Sequence, residues 1–204
     1  MNLDNFIEDL SSESPAPGGG AASAVMGVLG TALTSMVCAL TEGRQKYAEH
    51  QDFVSQQHEK ILELQKQFSQ IKDDDIAAFN QISAAYKLPK ETDAEKASRS
   101  QAIQEALVPA TEVPYRIMKL SAEALDVTES LLGKTNAMAI SDIGCAALGL
   151  KSALQGAYLN VKINIASTKE PNAEIVEDSK ALYDKYTILA DKIYSEVLEN
   201  LHCR

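Results

Sequence analysis

One acidic residue lies on the apolar face of a long predicted helix. Between positions 61 and 86, apolar residues recur at helical spacing along one face, and Asp75 fills the gap in that face. Asp73 should point to the opposite side, and Asp74 to the edge of this face. A carboxylate among apolar side chains loses hydration, so its pKa should rise, which suits a general acid or base. A buried Asp that holds a helix end or an arginine would fit the same position, and the spacing leaves both interpretations open.

Two other predicted helices carry faces of small residues. In the first, small residues line one side over Gly20–Cys38, and larger apolar residues line the other. In the second, Asp142, Asn160 and Asn164 share a narrow face with further small residues. Small residues permit either tight helix packing or room for a ligand. The three polar side chains would need partners if buried, and together they suit a hydrogen-bonding site for a polar heterocycle.

A run of glycines, Gly18–Gly20, precedes the first of these helices. Glycines there permit close backbone approach, and the free N–H groups at a helix N-terminus attract anions. The run lacks the lysine and Ser/Thr of a nucleotide-binding P-loop, and no strand is predicted beside it, so we do not expect a nucleotide loop. Four basic residues are either cationic partners for a carboxylated ligand or ordinary surface charge: Arg44, Lys46, Arg116 and Lys119.

The elements that would position these residues are helical along nearly the whole chain. We predict six helices, at about 2–11, 19–43, 48–87, 92–132, 141–167 and 171–201. The fourth begins at a capping box formed by Thr92 and Glu95, and the sixth has Pro171 in its first turn. Pro109 and Pro114 should kink or break the fourth helix. Residues 159–165 alternate like a strand, but no second strand could pair with them, so we predict helix there. The expected fold is an all-α, single-domain bundle of long helices over residues 1–204.

Composition restricts the class of protein. The 204 residues include 19 Lys and Arg and 29 Asp and Glu, for a net charge of −10, which disfavours nucleic acid and anionic membranes as partners. The uncharged stretch between Glu13 and Glu42 is long enough to span a bilayer, but its Ala, Gly, Ser and Thr content favours a buried helix. Cys38, Cys145 and Cys203 predict reduced thiols, two of them buried, in the cytoplasm. The histidine spacing predicts no metal site.

The chain resembles the cyclodeaminase/cyclohydrolase family of folate enzymes in a set of short strings. The first is Ser14-Pro-Ala-Pro-Gly-Gly-Gly-Ala-Ala-Ser. The others follow in the family's order over nearly the whole chain: Met36-Val, Leu40-Thr-Glu-Gly-Arg, Asp75-Ile-Ala-Ala-Phe79, Lys87-Leu-Pro-Lys90, Gln104-Glu-Ala-Leu107, Val113-Pro114, Ser141-Asp142 and Asn160-Val-Lys-Ile-Asn164. The chain departs from the family where Ala21 replaces a frequent Ser and where Pro109 interrupts a helix.

The resemblance implies an all-helical fold that works as a homodimer or larger homo-oligomer on a tetrahydrofolate substrate. The family's catalytic Asp corresponds to Asp75. We expect the substrate to be bound by Gly18, Gly19, Gly20, Arg44, Lys46, Ser141, Asp142, Asn160 and Asn164. No metal or other cofactor is expected, and no formiminotransferase domain.

Two reactions fit this resemblance. In cyclodeamination, N10 attacks the N5-formimino carbon and ammonia leaves; in cyclohydrolysis, water opens the 5,10-methenyl bridge to the 10-formyl compound. Both need proton transfers at one carbon, which a single carboxylate could provide. The residues leave three alternatives open: both reactions, the cyclohydrolase reaction alone, or a helical folate-binding or scaffold protein without catalysis.

Overall fold

The computed structural model describes residues 2–202, and these form an all-α bundle without a β-strand. Six α-helices follow one another: α1 (Leu3–Leu10), α2 (Gly19–Ala39), α3 (Gln51–Tyr86), α4 (Asp93–Ser130), α5 (Ile140–Ser167) and α6 (Ala173–His202). Short 3-10 helices, Gln45–His50 and Ala137–Ala139, precede α3 and α5. The all-α prediction is therefore confirmed, and residues 159–165 are helical within α5.

Helices α2 and α5 pack closely and run in opposite directions at the centre of the bundle. A Cβ added at Gly30 would lie 2.7 Å from Leu150, and one at Gly156 would lie 2.3 Å from the Oγ of Ser23. On the side of α2 that faces α3, a Cβ at Gly27 would lie 2.3 Å from the ring of Phe68. The small residues of α2 therefore serve tight packing along most of its length.

The apolar face of α3 divides into two parts. Ile61, Phe68 and Ile71 are completely buried in the core. Beyond Asp75, the side chains of Phe79 and Tyr86 on the same face are 38% and 50% exposed. The apolar face predicted for positions 61 to 86 is therefore a core face in its first two thirds, and its last third borders a cavity.

Helix ends follow the sequence signals in most places. The predicted capping box is present, with the Thr92 hydroxyl accepting from the Glu95 N–H. Helix α6 begins later than predicted, because the Asn172 side chain accepts from the Glu174 N–H, which leaves Pro171 outside the helix. Helix α4 continues through both of its prolines, although a break was one expectation.

The surface of the bundle differs from the expectation in two respects. Cys145 is exposed, whereas Cys38 is buried, and burial raises the pKa of its thiol to about 12; Cys203 lies outside the described residues. Several large apolar residues of α2 and α5 are also exposed. Gly19–Ala39 and Ala137–Ser167 are long and apolar enough to cross a membrane. About half of the most apolar 18-residue stretch of each is buried inside the bundle, and the core helix of a soluble protein meets the same criterion.

Candidate active site

An open cavity of about 440 Å³ lies where α2 begins and α5 ends. This size suits a drug-sized or cofactor-sized ligand. Four segments line it: the loop and glycines before α2, the last third of α3, the middle of α4 and the end of α5. Its lining residues are Pro15, Gly18, Gly19, Gly20, Asp75, Ala78, Phe79, Ile82, Tyr86, Leu107, Ala110, Asn160, Ile163, Asn164 and Ser167.

Asp75 is the acidic side chain in the lining of this cavity. It is half-buried, and burial raises the pKa of its carboxyl above the ordinary value; a hydrogen bond from the backbone N–H of Ala21 acts in the opposite direction and is weaker. Asp75 therefore contacts the first turn of α2 and also faces the cavity. The hydrogen bond to α2 is a structural contact, and the position in the cavity lining keeps the general acid or base role as a prediction.

The two neighbouring carboxylates are engaged outside the cavity. Asp73 is exposed and lies 2.9 Å from the Nζ of Lys72. Asp74 accepts a hydrogen bond from the Arg116 guanidinium at 3.2 Å. Their positions on α3 agree with the predicted orientations, and they provide matched controls for Asp75.

The glycines before α2 permit the close approach of Asp75. A Cβ at Gly20 would lie 2.1 Å from the Oδ1 of Asp75, so no larger residue fits without moving the carboxylate. A Cβ at Gly19 would lie 3.4 Å from the Nδ2 of Asn160, a tight but tolerable distance, and one at Gly18 meets nothing closer than 3.9 Å. The requirement for glycine is therefore strongest at position 20.

Two asparagines present their carbonyl oxygens to the cavity. The Nδ2 of Asn160 donates to the Gly156 carbonyl at 2.9 Å, and the Nδ2 of Asn164 donates to the Ala110 carbonyl at 2.6 Å. One hydrogen of each Nδ2 is bonded to the backbone in this way, which fixes the orientation of the amide and leaves its oxygen available to accept from a ligand. Together with Asp75, these oxygens form a set of acceptors that matches a ligand edge rich in N–H donors.

Sequence reasoning missed the apolar wall of the cavity. The side chains of Phe79, Ile82 and Tyr86 continue the α3 face, and Leu107 and Ile163 come from α4 and α5. Such a wall suits the flat face of a heterocycle. The signal was present in the α3 periodicity, but a half-exposed apolar face and a core face have the same spacing.

Four predicted binding residues lie at the opposite end of α2 and α5. Arg44 and Lys46 are exposed beyond the C-terminus of α2, while Ser141 and Asp142 are in the first turn of α5. Helix α2 has 21 residues, so about 30 Å separates these residues from the cavity. One chain therefore brings together Gly18, Gly19, Gly20, Asp75, Asn160 and Asn164, but not these four.

Other basic and metal-ligating residues do not line the cavity. The Lys119 ammonium lies 4.3 Å from the centre of the Tyr115 ring, and Arg116 is paired with Asp74. Within residues 2–202, no three His, Cys, Asp or Glu side chains are grouped to hold a metal ion. Arg99 is not in the lining but contacts Tyr86, which is: its guanidinium donates to the Tyr86 carbonyl, and its Cζ lies 5.4 Å from the centre of the Tyr86 ring.

The arrangement suits proton transfer on a ring system that carries several N–H groups. Comparisons with known proteins show the family to which the chain belongs. A family model described as formiminotransferase-cyclodeaminase matches residues 2–182. The chain belongs to this family. It is 38% identical over 197 residues to a methenyltetrahydrofolate cyclohydrolase of Methylorubrum extorquens, covering 96% of this chain and 95% of that protein.

Some of the relatives are longer than this chain. The formimidoyltransferase-cyclodeaminase of Mus musculus is 32% identical over 164 residues, which are 80% of this chain and 30% of the mouse protein. The crystal structure of formiminotetrahydrofolate cyclodeaminase from Thermotoga maritima shares the fold, with a TM-score of 0.82 at 22% identity over 99% of this chain and 96% of that one.

Proposed function

We propose that this chain is a folate one-carbon enzyme that forms or opens the 5,10-methenyl bridge of tetrahydrofolate, with hydrolysis of the bridge as its principal reaction. The observation that supports the proposal is the position of Asp75, a half-buried carboxylate with a raised pKa in the lining of the cavity. Hydrolysis is favoured because the cyclohydrolase relative matches over 95% of its own length. The chain spans about 30% of the mouse cyclodeaminase.

In the hydrolytic direction, Asp75 acts first as a base and then as an acid. The ionised carboxylate takes a proton from water as the water oxygen attacks the bridge carbon, which neutralises the cationic methenyl group. The protonated carboxyl then returns the proton to N5 as the bond between N5 and the carbon breaks. The hydroxyl on that carbon loses its remaining proton to solvent, which leaves the formyl group on N10. A carboxyl group whose pKa is raised by burial transfers protons more effectively near neutral pH.

In the deaminating direction, the same carboxyl serves a leaving amine. N10 attacks the formimino carbon on N5, and the formimino nitrogen departs as ammonia after gaining two protons, the one that N10 loses and one from the Asp75 carboxyl. Both reactions pass through a tetrahedral carbon between N5 and N10, so one position of the carboxyl relative to the ring suits both. We propose that neither reaction uses a metal or another cofactor.

The remaining cavity residues would hold the ring. The amide oxygens of Asn160 and Asn164 accept from the N–H groups of the pterin, and the wall formed by Phe79 and Ile82 contacts its flat face. Backbone N–H groups at the start of α2 provide donors for the ring oxygen. Arg99, which contacts the cavity residue Tyr86, would serve as a cationic partner for the substrate's glutamate carboxylate.

The test follows the absorbance of methenyltetrahydrofolate with and without the protein, alongside ammonia release from formiminotetrahydrofolate. Bridge opening faster than the spontaneous reaction supports the cyclohydrolase, and ammonia release adds the cyclodeaminase. Binding of either folate without turnover would indicate a folate-binding protein that has kept the fold and would contradict the catalytic proposal.

We further propose a homo-oligomer that completes the site. Exposed apolar residues form a strip on α2 and α5, comprising Met26, Leu29, Met36 and Leu148. A second copy of the chain on this strip would cover it. Since Arg44 and Lys46 lie about 30 Å from the cavity of their own chain, they can serve a bound folate there only from a second copy.

Light scattering tests the assembly. We expect a mass of at least twice 22.1 kDa at micromolar concentration, and a monomer for Leu29→Asp. A monomeric wild-type chain with full activity would contradict the assembly and the binding roles of Arg44 and Lys46. We place the protein in the cytoplasm, which cell fractionation would test.

A further inference from the structure

The carbonyl that orients Asn164 is available because of a proline one helical turn later in α4. In an α-helix, the carbonyl of residue i accepts from the N–H of residue i+4, so the Ala110 carbonyl would ordinarily accept from position 114. Pro114 has no N–H, yet α4 continues through it. The Ala110 carbonyl instead accepts from the Nδ2 of Asn164 at 2.6 Å.

This hydrogen bond determines which atom of Asn164 faces the cavity. An amide side chain has a donor on one branch and an acceptor on the other, so a bonded Nδ2 leaves Oδ1 on the opposite side. Within residues 2–202, no hydrogen bond engages this Oδ1, and no side-chain oxygen or nitrogen is fully buried without a partner. The Asn164 oxygen is therefore accessible as an acceptor in the cavity lining.

We propose that Pro114 is a positioning residue for ligand binding: by withholding a backbone donor, it reserves the Ala110 carbonyl for Asn164 and turns the Asn164 oxygen toward the ring N–H groups of the ligand. This inference rests on the proposed function of the cavity. Pro114 is buried and is not part of the cavity lining, so it acts through Asn164 and not by contact with the ligand.

Pro109 in the same helix is the matched control. Because Pro109 has no N–H, the carbonyl of Glu105, an exposed residue, lacks its usual helical donor. Asn164 does not use that carbonyl, since its Nδ2 donates to Ala110. Replacing either proline by alanine restores one N–H within α4. In Pro114→Ala, the new N–H competes with Asn164 for the Ala110 carbonyl, whereas in Pro109→Ala there is no such competition.

The test compares steady-state hydrolysis of methenyltetrahydrofolate by Pro114→Ala, Pro109→Ala, Asn164→Ala and the double variant Pro114→Ala/Asn164→Ala. We expect Pro114→Ala to raise KM about three- to tenfold, the effect of losing one oriented hydrogen bond, with kcat nearly unchanged. Pro109→Ala should change neither constant. In the Asn164→Ala background, Pro114→Ala should raise KM no further, because its effect passes through that side chain.

Three results would overturn the proposal. The first is an unchanged KM in Pro114→Ala. The second is an equal rise in KM for both proline variants, or an additive rise in the double variant. The third is a Pro114→Ala chain that fails to fold, which would give Pro114 a role in stability, whereas the restored hydrogen bond should leave the melting temperature equal or higher.

A crystal structure of Pro114→Ala separates this inference from the proposed function. We expect the Ala110 carbonyl to accept from the new N–H at position 114 and the Asn164 amide to be displaced. An Asn164 that still donates to Ala110 overturns the positioning role. If the wild-type chain neither binds nor converts methenyltetrahydrofolate, the proposed function fails, and this structure still decides the inference.

Discussion

Polar side chains lie at both ends of the antiparallel pair α2 and α5, but their hydrogen bonding differs between the two ends. At the far end, where α2 ends and α5 begins, polar groups bond to one another. The Asn136 backbone N–H donates to the Thr41 hydroxyl. The Nε2 of His58 lies 3.0 Å from the Oγ of Ser35, and its Nδ1 lies 3.1 Å from the Oε1 of Glu42. At the cavity end, Asp75, Asn160 and Asn164 keep acceptor atoms accessible.

This difference shows that the side-chain types alone do not make a site. Ser35, His58 and Glu42 are hydrogen-bonded in the order of a hydrolase triad, from hydroxyl to imidazole to carboxylate, but none of them lines the cavity. Their contacts connect α2 and the turn after it to α3. At the cavity end, glycines and small residues leave space that no protein side chain fills. An open acceptor next to that space can meet a substrate.

The largest expected effect is at the acid of the cavity end. Asp75→Asn keeps the shape of the side chain and removes its titrating proton, so we expect turnover to fall by about 10² or more. Asp73→Asn, a matched change on the exposed side of α3, should leave steady-state turnover nearly unchanged. A stability loss with near-normal turnover in Asp75→Asn would identify a purely structural carboxylate.

A smaller effect is expected from closing the space beside that acid. Gly20→Ala places a methyl group 2.1 Å from the present position of the Asp75 Oδ1, so the carboxylate must move, and we expect kcat to fall about tenfold or more. Gly18→Ala adds a methyl group to the same loop without approaching the carboxylate, since the nearest atom is 3.9 Å away, so it is the control for kcat. Equal rates for the two variants would contradict the role of Gly20.

At the far end, a comparable change should affect stability and not activity. Ser35→Ala removes the hydrogen bond to His58 and should lower the free energy of unfolding by about 0.5–1.5 kcal/mol, measured in urea. We expect kcat/KM to stay within about twofold. A folded Ser35→Ala variant with strongly reduced kcat/KM would mean that the far end takes part in the chemistry.

The smallest effect is a pH dependence of stability. Because burial raises the pKa of Asp75 in the folded state, the native chain binds this proton more tightly than the unfolded chain does. The contribution of the Asp75 carboxyl to the free energy of unfolding is fully present below the ordinary pKa of 3.8. It is lost as the pH rises through the raised pKa of the folded state. Melting curves should therefore show Asp75→Asn gaining stability relative to wild type across that interval; a constant difference would contradict the raised pKa.

Much of this architecture is predictable from local sequence rules. Capping at Thr92, helical spacing and the absence of a partner strand for residues 159–165 predict the helices, and the α3 periodicity singles out Asp75. These signals depend on residues close together in the chain. The predicted start of α6 at Pro171 was wrong by two residues: the helix begins at Ala173, because the Asn172 side chain caps it.

The division of the polar residues between the two ends could not be predicted in the same way. Arg44 and Asn160 both lie on or beside small-residue helices, yet the antiparallel packing of α2 and α5 places them at opposite ends. The orientation of Asn164 depends on Pro114, 50 residues earlier in the chain. Such contacts between distant segments leave no periodic signal in one sequence.

The most direct test of the account is a crystal structure of Asp75→Asn with methenyltetrahydrofolate, since slow turnover should preserve the substrate. We predict the ring system in the cavity where α2 begins and α5 ends, with its bridge carbon within reach of residue 75 directly or through one water, and Asn160 and Asn164 accepting from ring N–H groups. A folate bound at the far end, or one whose bridge carbon points away from residue 75, would contradict the central claim.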